Sequence, residues 1–217
     1  MRKTAWIAAG GALVLAGAAV AYAQSRNTEE PDYTSVVSDG PFELRDYPAL
    51  VVAEITHSGT RQAASSRSFR RLAAYIFAQD RPAGGERIAM TAPVLQERVG
   101  RGEKIAMTAP VMEEQVAKDT WRMRFVMPSK YTLDTLPEPP ADIALTEIPA
   151  RRVAAVQFSG NGSAADLARQ EQALAEWIEA QGLKPKGAFE YAFYNAPMVP
   201  GPLRRNEVMI EVEEAVS

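Results

Sequence analysis

The side chains that could carry chemistry are few, and their types restrict what this protein can do. The sequence contains one histidine, His57, and no cysteine. Without cysteine there are no disulfides, thiolate metal sites, thiol nucleophiles or thioether-linked cofactors. One histidine excludes zinc sites built on several histidines, and no nucleophile elbow or histidine-based triad is apparent. These absences argue against thiol and histidine-based enzymes, while a hydrolase with a paired-carboxylate or tyrosine site is left as an alternative.

The charge balance argues against nucleic acid as a partner. The chain has 24 Lys and Arg residues against 27 Asp and Glu residues, a net charge of −3. A mildly acidic protein has no sequence-independent attraction to a phosphate backbone. We therefore do not expect the protein to bind nucleic acid.

The first 23 residues are typical of an export signal. Arg2 and Lys3 precede an apolar run, and Ala21-Tyr22-Ala23 matches the small-x-small pattern at which signal peptidase cleaves. The alternative is an uncleaved anchor in the inner membrane, formed by residues 5–22. Both alternatives place the domain in the periplasm or cell envelope, with membrane contact only through this segment, and residues 24–32 are predicted to be a linker.

An internal repeat predicts the architecture. Residues 42–59 and 143–160 are offset by 101 positions, and seven of 18 aligned residues are identical. Each segment contains a Pro-Ala pair, alternates like a strand after it, and ends at Ser-Gly, which indicates a turn. Two related halves are expected to pair into one domain over residues 33–213, with pseudo-repeats at about 33–130 and 131–213.

Helices and further strands are predicted after each repeat segment. Apolar residues recur at helical spacing within 69–76 and 167–178, and Ser163 with Asp166 forms a capping pattern. The predicted strands that follow are 87–96, 104–114, 189–195 and 207–212, with one extra strand at 121–127. The fold class is thus α+β, a duplicated β-α-β-β unit, and the space between its helices and strands is a natural place for a ligand.

The heptapeptide IAMTAPV occurs twice, at residues 88–94 and 105–111. The copies flank a Gly-rich turn around residues 100–102, so we expect a hairpin. Strand alternation would then place Ile88, Met90 and Ala92 on one face.

These motifs together resemble the SOUL heme-binding family. The sequences carrying the resemblance are KIAMTAPV, FELRDY at 42–47, FVMPS at 125–129 and the closing segment 191–210, in family order from about 33 to 213. The resemblance implies a distorted antiparallel barrel with two helices. It also implies non-covalent, reversible binding of heme or a related tetrapyrrole, without an assigned reaction. The implied fold is similar to that of bacterial effector-binding domains that hold flat lipophilic cations in a central cleft.

A tetrapyrrole site needs an apolar slot, cations for two propionates and in some cases an axial iron ligand. The candidates for binding are Arg67, Arg71, Met90, Met107, Tyr194, Arg204 and Glu207, and the candidate iron ligand is His57. These candidates also have plainer structural explanations. Methionines commonly fill the core, the arginines of the predicted helix can form a solvated face, and His57 lies at the end of a strand. Glu207 can form a salt bridge with Arg204 or Arg205. Some family members carry a histidine at the position of Asp46, so that ligand is missing here.

We therefore expect a non-enzymatic carrier or buffer of heme or related tetrapyrroles. The alternatives are a binder of other flat lipophilic or cationic molecules, with Glu207 as counter-charge, and a purely structural envelope module.

Overall fold

The computed structural model describes residues 28–100 and 119–214. These residues form two long helices, α1 (Arg61–Ile76) and α2 (Ala164–Ala180), and nine strands. The strands are β1 (Thr34–Asp39), β2 (Phe42–Tyr47), β3 (Leu50–Ser58), β4 (Val94–Gly100), β5 (Thr120–Val126), β6 (Ala144–Ile148), β7 (Arg151–Phe158), β8 (Leu183–Phe193) and β9 (Asn206–Glu214). A short 3₁₀ turn spans Gly201–Leu203.

All nine strands belong to one antiparallel sheet, in the order β1-β2-β7-β9-β8-β4-β5-β3-β6. The predicted α+β class with two helices is confirmed. In the described part of the chain β1 and β6 are the two edges, so the sheet stays open where the family resemblance implied a distorted barrel.

The two halves are related as the sequence repeat predicts, and each contains one more strand than expected. Each repeat segment breaks at its Pro-Ala pair because proline cannot donate to a strand ladder. The units are therefore β2-β3-α1-β4-β5 and β6-β7-α2-β8-β9, and β5 is the counterpart of β9 rather than an extra strand. The symmetry holds in the register: Leu44 lies opposite Ala154, and their repeat partners Leu145 and Ala53 lie opposite each other.

Both helices begin at capped residues and pack on the same face of the sheet. The Thr60 side chain caps α1, and Ser163 with Asp166 forms the predicted capping box of α2. Helix α1 packs against β3 and β5, while α2 packs against β7, β8 and β9. Two residues after the end of α2, Gly182 has a φ of +68°, a conformation that favours glycine. No helix within residues 28–100 and 119–214 packs on the opposite face of the sheet.

The first copy of the repeated heptapeptide is mostly not a strand, so the prediction of a strand at 87–96 is wrong before Val94. Two of its backbone amides donate hydrogen bonds to residues that lie outside any strand. The Ile88 amide donates to the carbonyl of Ile76, and the Ala92 amide donates to that of Glu29, at 2.8 and 2.9 Å. The predicted alternation also fails, since residues 91, 92 and 93 are all buried.

The second copy, the predicted strand 104–114 and Met107 lie outside the described residues, as do residues 1–27 with the predicted signal or anchor. Within the described ranges, no helix has the length and apolar character needed to cross a membrane.

Candidate functional site

The face of the sheet opposite the helices, here called the helix-free face, has a buried apolar centre. Alternate side chains of eight strands, β2 to β9, meet there in a cluster to which neither helix contributes. We call this centre the apolar floor; it comprises Leu50, Val52, Leu95, Val126, Ile148, Val153, Ala192 and Met209. Along β9, Glu207, Met209 and Glu211 point to this face in turn, so charged groups lie on either side of the floor.

At one end of the floor lies a buried charged group, the Glu207 cluster. The Glu207 side chain is fully buried. Arg45 donates to its two oxygens at 2.7 and 3.1 Å, Arg205 donates twice at 2.9 and 3.1 Å, and the Tyr194 hydroxyl donates at 2.8 Å. Arg45 also donates to the Tyr47 hydroxyl at 3.2 Å.

The ionisation of the Glu207 cluster follows from these contacts. Burial alone would raise the pKa of Glu207, but the hydrogen bonds and charges of Arg45 and Arg205 hold that pKa below its ordinary value. Burial and the nearby carboxylate raise the pKa of Tyr194 well above its ordinary value. At neutral pH Glu207 is therefore charged and Tyr194 is a neutral phenol. Both carboxylate oxygens already accept hydrogen bonds, so Glu207 is occupied as a counter-charge within the protein.

Between the Glu207 cluster and the floor there is a small cavity. It measures about 20 Å³ and is lined by the floor residues Leu95, Val126 and Met209 together with Tyr33 and Arg151. A space of this size holds about one water molecule.

At the other end of the floor the face opens into a larger space, the polar cleft, of about 330 Å³. Its charged lining residues are Glu54, Glu97, Glu147, Glu190, Glu211, Arg122, Arg124, Arg151 and Lys186. This volume lies within the range of small-molecule sites. Since the acidic and basic groups nearly balance, the cleft does not carry a strong field of one sign.

The charges of the polar cleft form a connected network. Arg124 lies 2.9 Å from Glu54, 3.2 Å from Glu97 and 3.2 Å from Glu190. Arg151 donates to both oxygens of Glu190, at 3.0 and 2.6 Å. Burial raises the pKa of Glu97, which its arginine neighbours only partly offset. The network fixes the arginines in place before any ligand arrives.

Two of the residues predicted from sequence, Tyr194 and Glu207, are brought together in the Glu207 cluster. Arg204 is not with them: its guanidinium binds the carbonyls of Val199, at 2.6 Å, and of Pro197, which closes its own loop. Of the two arginines that the sequence suggested for Glu207, it is Arg205 that pairs with it, at 2.9 Å, in addition to Arg45.

The predicted cations on α1 lie on the helix side of the sheet. Arg71 is paired with Asp142 at 2.6 Å and also with Asp80. Arg67 binds the carbonyl of Ser58. Met90 is half-buried against the core under α1. These three residues do not reach the helix-free face.

His57 also belongs to the helix side. Its Nδ1 lies 2.9 Å from the Ser68 hydroxyl on α1. Burial, with help from the positive charge of Arg67, lowers the pKa of His57 below its ordinary value. Ser68 is buried, so the pair presents no accessible nucleophile.

Sequence reasoning missed the arginines of the helix-free face. Arg122 and Arg124 alternate with Trp121, Met123 and Phe125 along β5, a pattern in which every second residue of a strand is charged. That pattern was available from sequence and predicts one polar sheet face. Arg45, by contrast, meets Glu207 across 162 positions, which no local pattern reports.

Comparison with known proteins agrees with the fold and gives the family. The C-terminal domain of EcmrR is similar over 84% of this chain and 98% of its own, with 13% identity and a TM-score of 0.53. A hydrolase encoded by lin2189 from Listeria innocua is similar over 82% of this chain and 94% of its own, with 12% identity and a TM-score of 0.54. At such identities the likeness shows the fold alone, and no curated protein sequence matches the chain.

The model of the SOUL heme-binding protein family matches residues 28–211, which is most of the chain and includes both repeat units. This protein therefore belongs to the SOUL heme-binding protein family.

Proposed function

We propose that this protein binds heme or a related tetrapyrrole non-covalently and reversibly, as a non-enzymatic carrier or buffer in the cell envelope. Membership of a heme-binding family supports the ligand class. The observation that carries the proposal for this chain is the junction of two surfaces: Arg151 lines both the apolar cavity and the polar cleft. An amphipathic ligand with a flat apolar body and an anionic edge matches that junction.

The residues that line the cavity and the polar cleft can contact the ring and propionates of a tetrapyrrole, but they offer little for coordinating its iron. The apolar floor offers a surface for the ring, and the arginines of the polar cleft offer partners for carboxylates. The tyrosines near the floor are neutral phenols, because burial raises the pKa values of Tyr33, Tyr47 and Tyr194. With the tyrosines set aside, Met209 is the described cavity-lining residue whose side chain is of a type that binds heme iron. We infer that binding depends on shape and carboxylates, with little contribution from iron coordination.

A titration of hemin into the full-length protein tests this proposal, followed by the Soret band and by tryptophan quenching. We expect saturable one-to-one binding, unchanged in His57→Ala because His57 lies on the helix side. Arg122→Gln should weaken binding by about three- to tenfold, the usual effect of losing one charge-assisted hydrogen bond at a partly exposed site. Arg169→Gln on the exposed surface of α2 is the matched control. Lack of saturable binding by the wild-type protein would overturn the proposal.

A further inference from the structure

The segment Thr28–Tyr33, here called the strap, lies across one end of the helix-free face before β1 begins. The Glu29 carbonyl accepts from the Ala92 amide at 2.9 Å, and the Glu29 carboxylate accepts from the Ser129 amide at 2.7 Å. Glu30 forms an ion pair with Arg205 at 2.9 Å. The strap is thus attached to both halves of the protein.

The strap forms the roof of the small cavity. Glu30, Pro31 and Tyr33 line it from above, while floor residues such as Leu95 and Met209 line it from below. The Tyr33 ring lies 5.2 Å from the Tyr47 ring, and the Arg45 guanidinium lies 4.5 Å from the Tyr33 ring. With the strap in place, the volume of this cavity is about 20 Å³, far below the several hundred Å³ that a small-molecule site needs.

The attachments of the strap are of the kind that opens easily. Glu29, Glu30 and Tyr33 are all exposed. Exposed ion pairs contribute little, and segments with few buried contacts open at low cost in free energy. By contrast, the floor beneath it is almost completely buried, with Met209 only 3% exposed.

Two buried donors on the same face make no hydrogen bond within the described structure. They are the Nε atoms of Arg122 and Arg151, both inaccessible to solvent, and the Arg122 Nε lies 3.9 Å from the Glu54 carboxylate. Both arginines line the polar cleft, and Arg151 also lines the cavity under the strap. Buried N–H groups normally have an acceptor, so the Arg151 Nε beside the apolar floor and the Arg122 Nε in the polar cleft suggest the place of a missing anionic group.

We propose that the tetrapyrrole ring lies on the apolar floor beneath the strap, with its propionates directed to Arg151 and Arg122, and that the strap lifts to admit it. This inference rests on the proposed function and adds the position of the ligand and the element that controls access. Residues 28–32 of the strap belong to the segment 24–32, which is predicted from the sequence to be a linker.

Stopped-flow association of metal-free protoporphyrin with the full-length protein tests the role of the strap. Loss of one exposed ion pair should shift the equilibrium between the closed and the open strap by roughly 1.5- to 5-fold. Glu30→Gln should therefore raise the association rate by a factor in that range, and Glu30→Lys, which repels Arg205, by about three- to tenfold. Glu86→Gln and Glu86→Lys make the same charge changes on an exposed loop residue outside the strap and both linings, and they should leave the rate within twofold of wild type.

Amide exchange at Ala92 and Ser129 reports strap opening without any porphyrin, because both amides donate to Glu29. Exchange should accelerate in the Glu30 variants by a similar factor and stay unchanged in the Glu86 variants. Faster association without faster exchange would mean a charge effect alone and would overturn the strap's role. If the wild type binds porphyrin and the Glu30 variants bind at the same rate, the strap proposal fails while the proposed function stands. If neither wild type nor variants bind, although exchange shows that the strap opens, the proposed function fails and this inference with it.

Discussion

The Glu207 cluster makes the most quantitative prediction about stability. The substitution Glu207→Gln keeps the size of the side chain and removes its charge, leaving Arg45 buried with a single remaining carboxylate, Glu43, at 2.6 Å. Breaking a buried ion pair by neutralising one partner costs about 3 to 5 kcal/mol. Because Arg45 keeps Glu43 and Arg205 keeps Glu30, we expect the lower end, about 3 kcal/mol in the free energy of unfolding.

Urea unfolding of the full-length protein measures this loss, with the fluorescence of the buried Trp121 and Trp177 as the signal. The corresponding fall in melting temperature is about 6 to 12 °C for a protein of this size. Glu43→Gln is the matched control, since that carboxylate is partly exposed and its loss should cost less than about 1 kcal/mol. The double variant Arg45→Met with Glu207→Met should lose less free energy of unfolding than the sum of the losses of the two single variants, because it removes both buried charges. A Glu207→Gln protein within 0.5 kcal/mol of wild type would refute this account of the cluster.

Two further predictions concern pH and helix capping. Since the pKa of His57 is lowered in the folded protein, the unfolded chain takes up a proton first as the pH falls through about 6.5. The free energy of unfolding should then fall between pH 7.5 and 5.5, by at most about 1.4 kcal/mol per pH unit. In urea unfolding at a series of pH values, His57→Gln should reduce this dependence on pH. If the wild type and His57→Gln show the same slope, the lowered pKa of His57 is contradicted. Ser163→Ala removes the α2 cap, whose hydroxyl accepts from the Asp166 amide at 3.1 Å, and should cost about 1 kcal/mol by thermal unfolding. Ser66→Ala, an exposed serine inside α1, should cost less than half as much, and equal losses would count against the cap.

The fold could be predicted to a large extent because its main determinants are local. The offset of 101 residues between repeat segments predicted two related halves, and the capping residues predicted where α2 begins. The strand breaks at Pro48 and Pro149 were not predicted, although proline interrupts a ladder. The first heptapeptide was misassigned because its pattern suits a strand, while the backbone bonds of Ile88 and Ala92 go to residues outside any ladder.

The site could be predicted only in part, because it depends on contacts between distant residues. Tyr194 and Glu207 were identified from a motif, but their partner Arg45 comes from the other half of the protein. The α1 arginines looked suitable by helical spacing, yet spacing does not report that Arg71 is already paired with Asp142 from a distant loop. His57 was chosen as the one histidine, and residue type alone does not give the face of the sheet on which a side chain lies.

The most direct test of the central claim is a parallel titration of the wild-type protein with hemin and with metal-free protoporphyrin. The arrangement of the helix-free face predicts saturable one-to-one binding of both, with dissociation constants within about threefold of each other, since ring and propionates carry the affinity. Binding of hemin with no measurable binding of protoporphyrin would contradict the account, because iron coordination, for which the described lining offers Met209, would then have to supply the affinity.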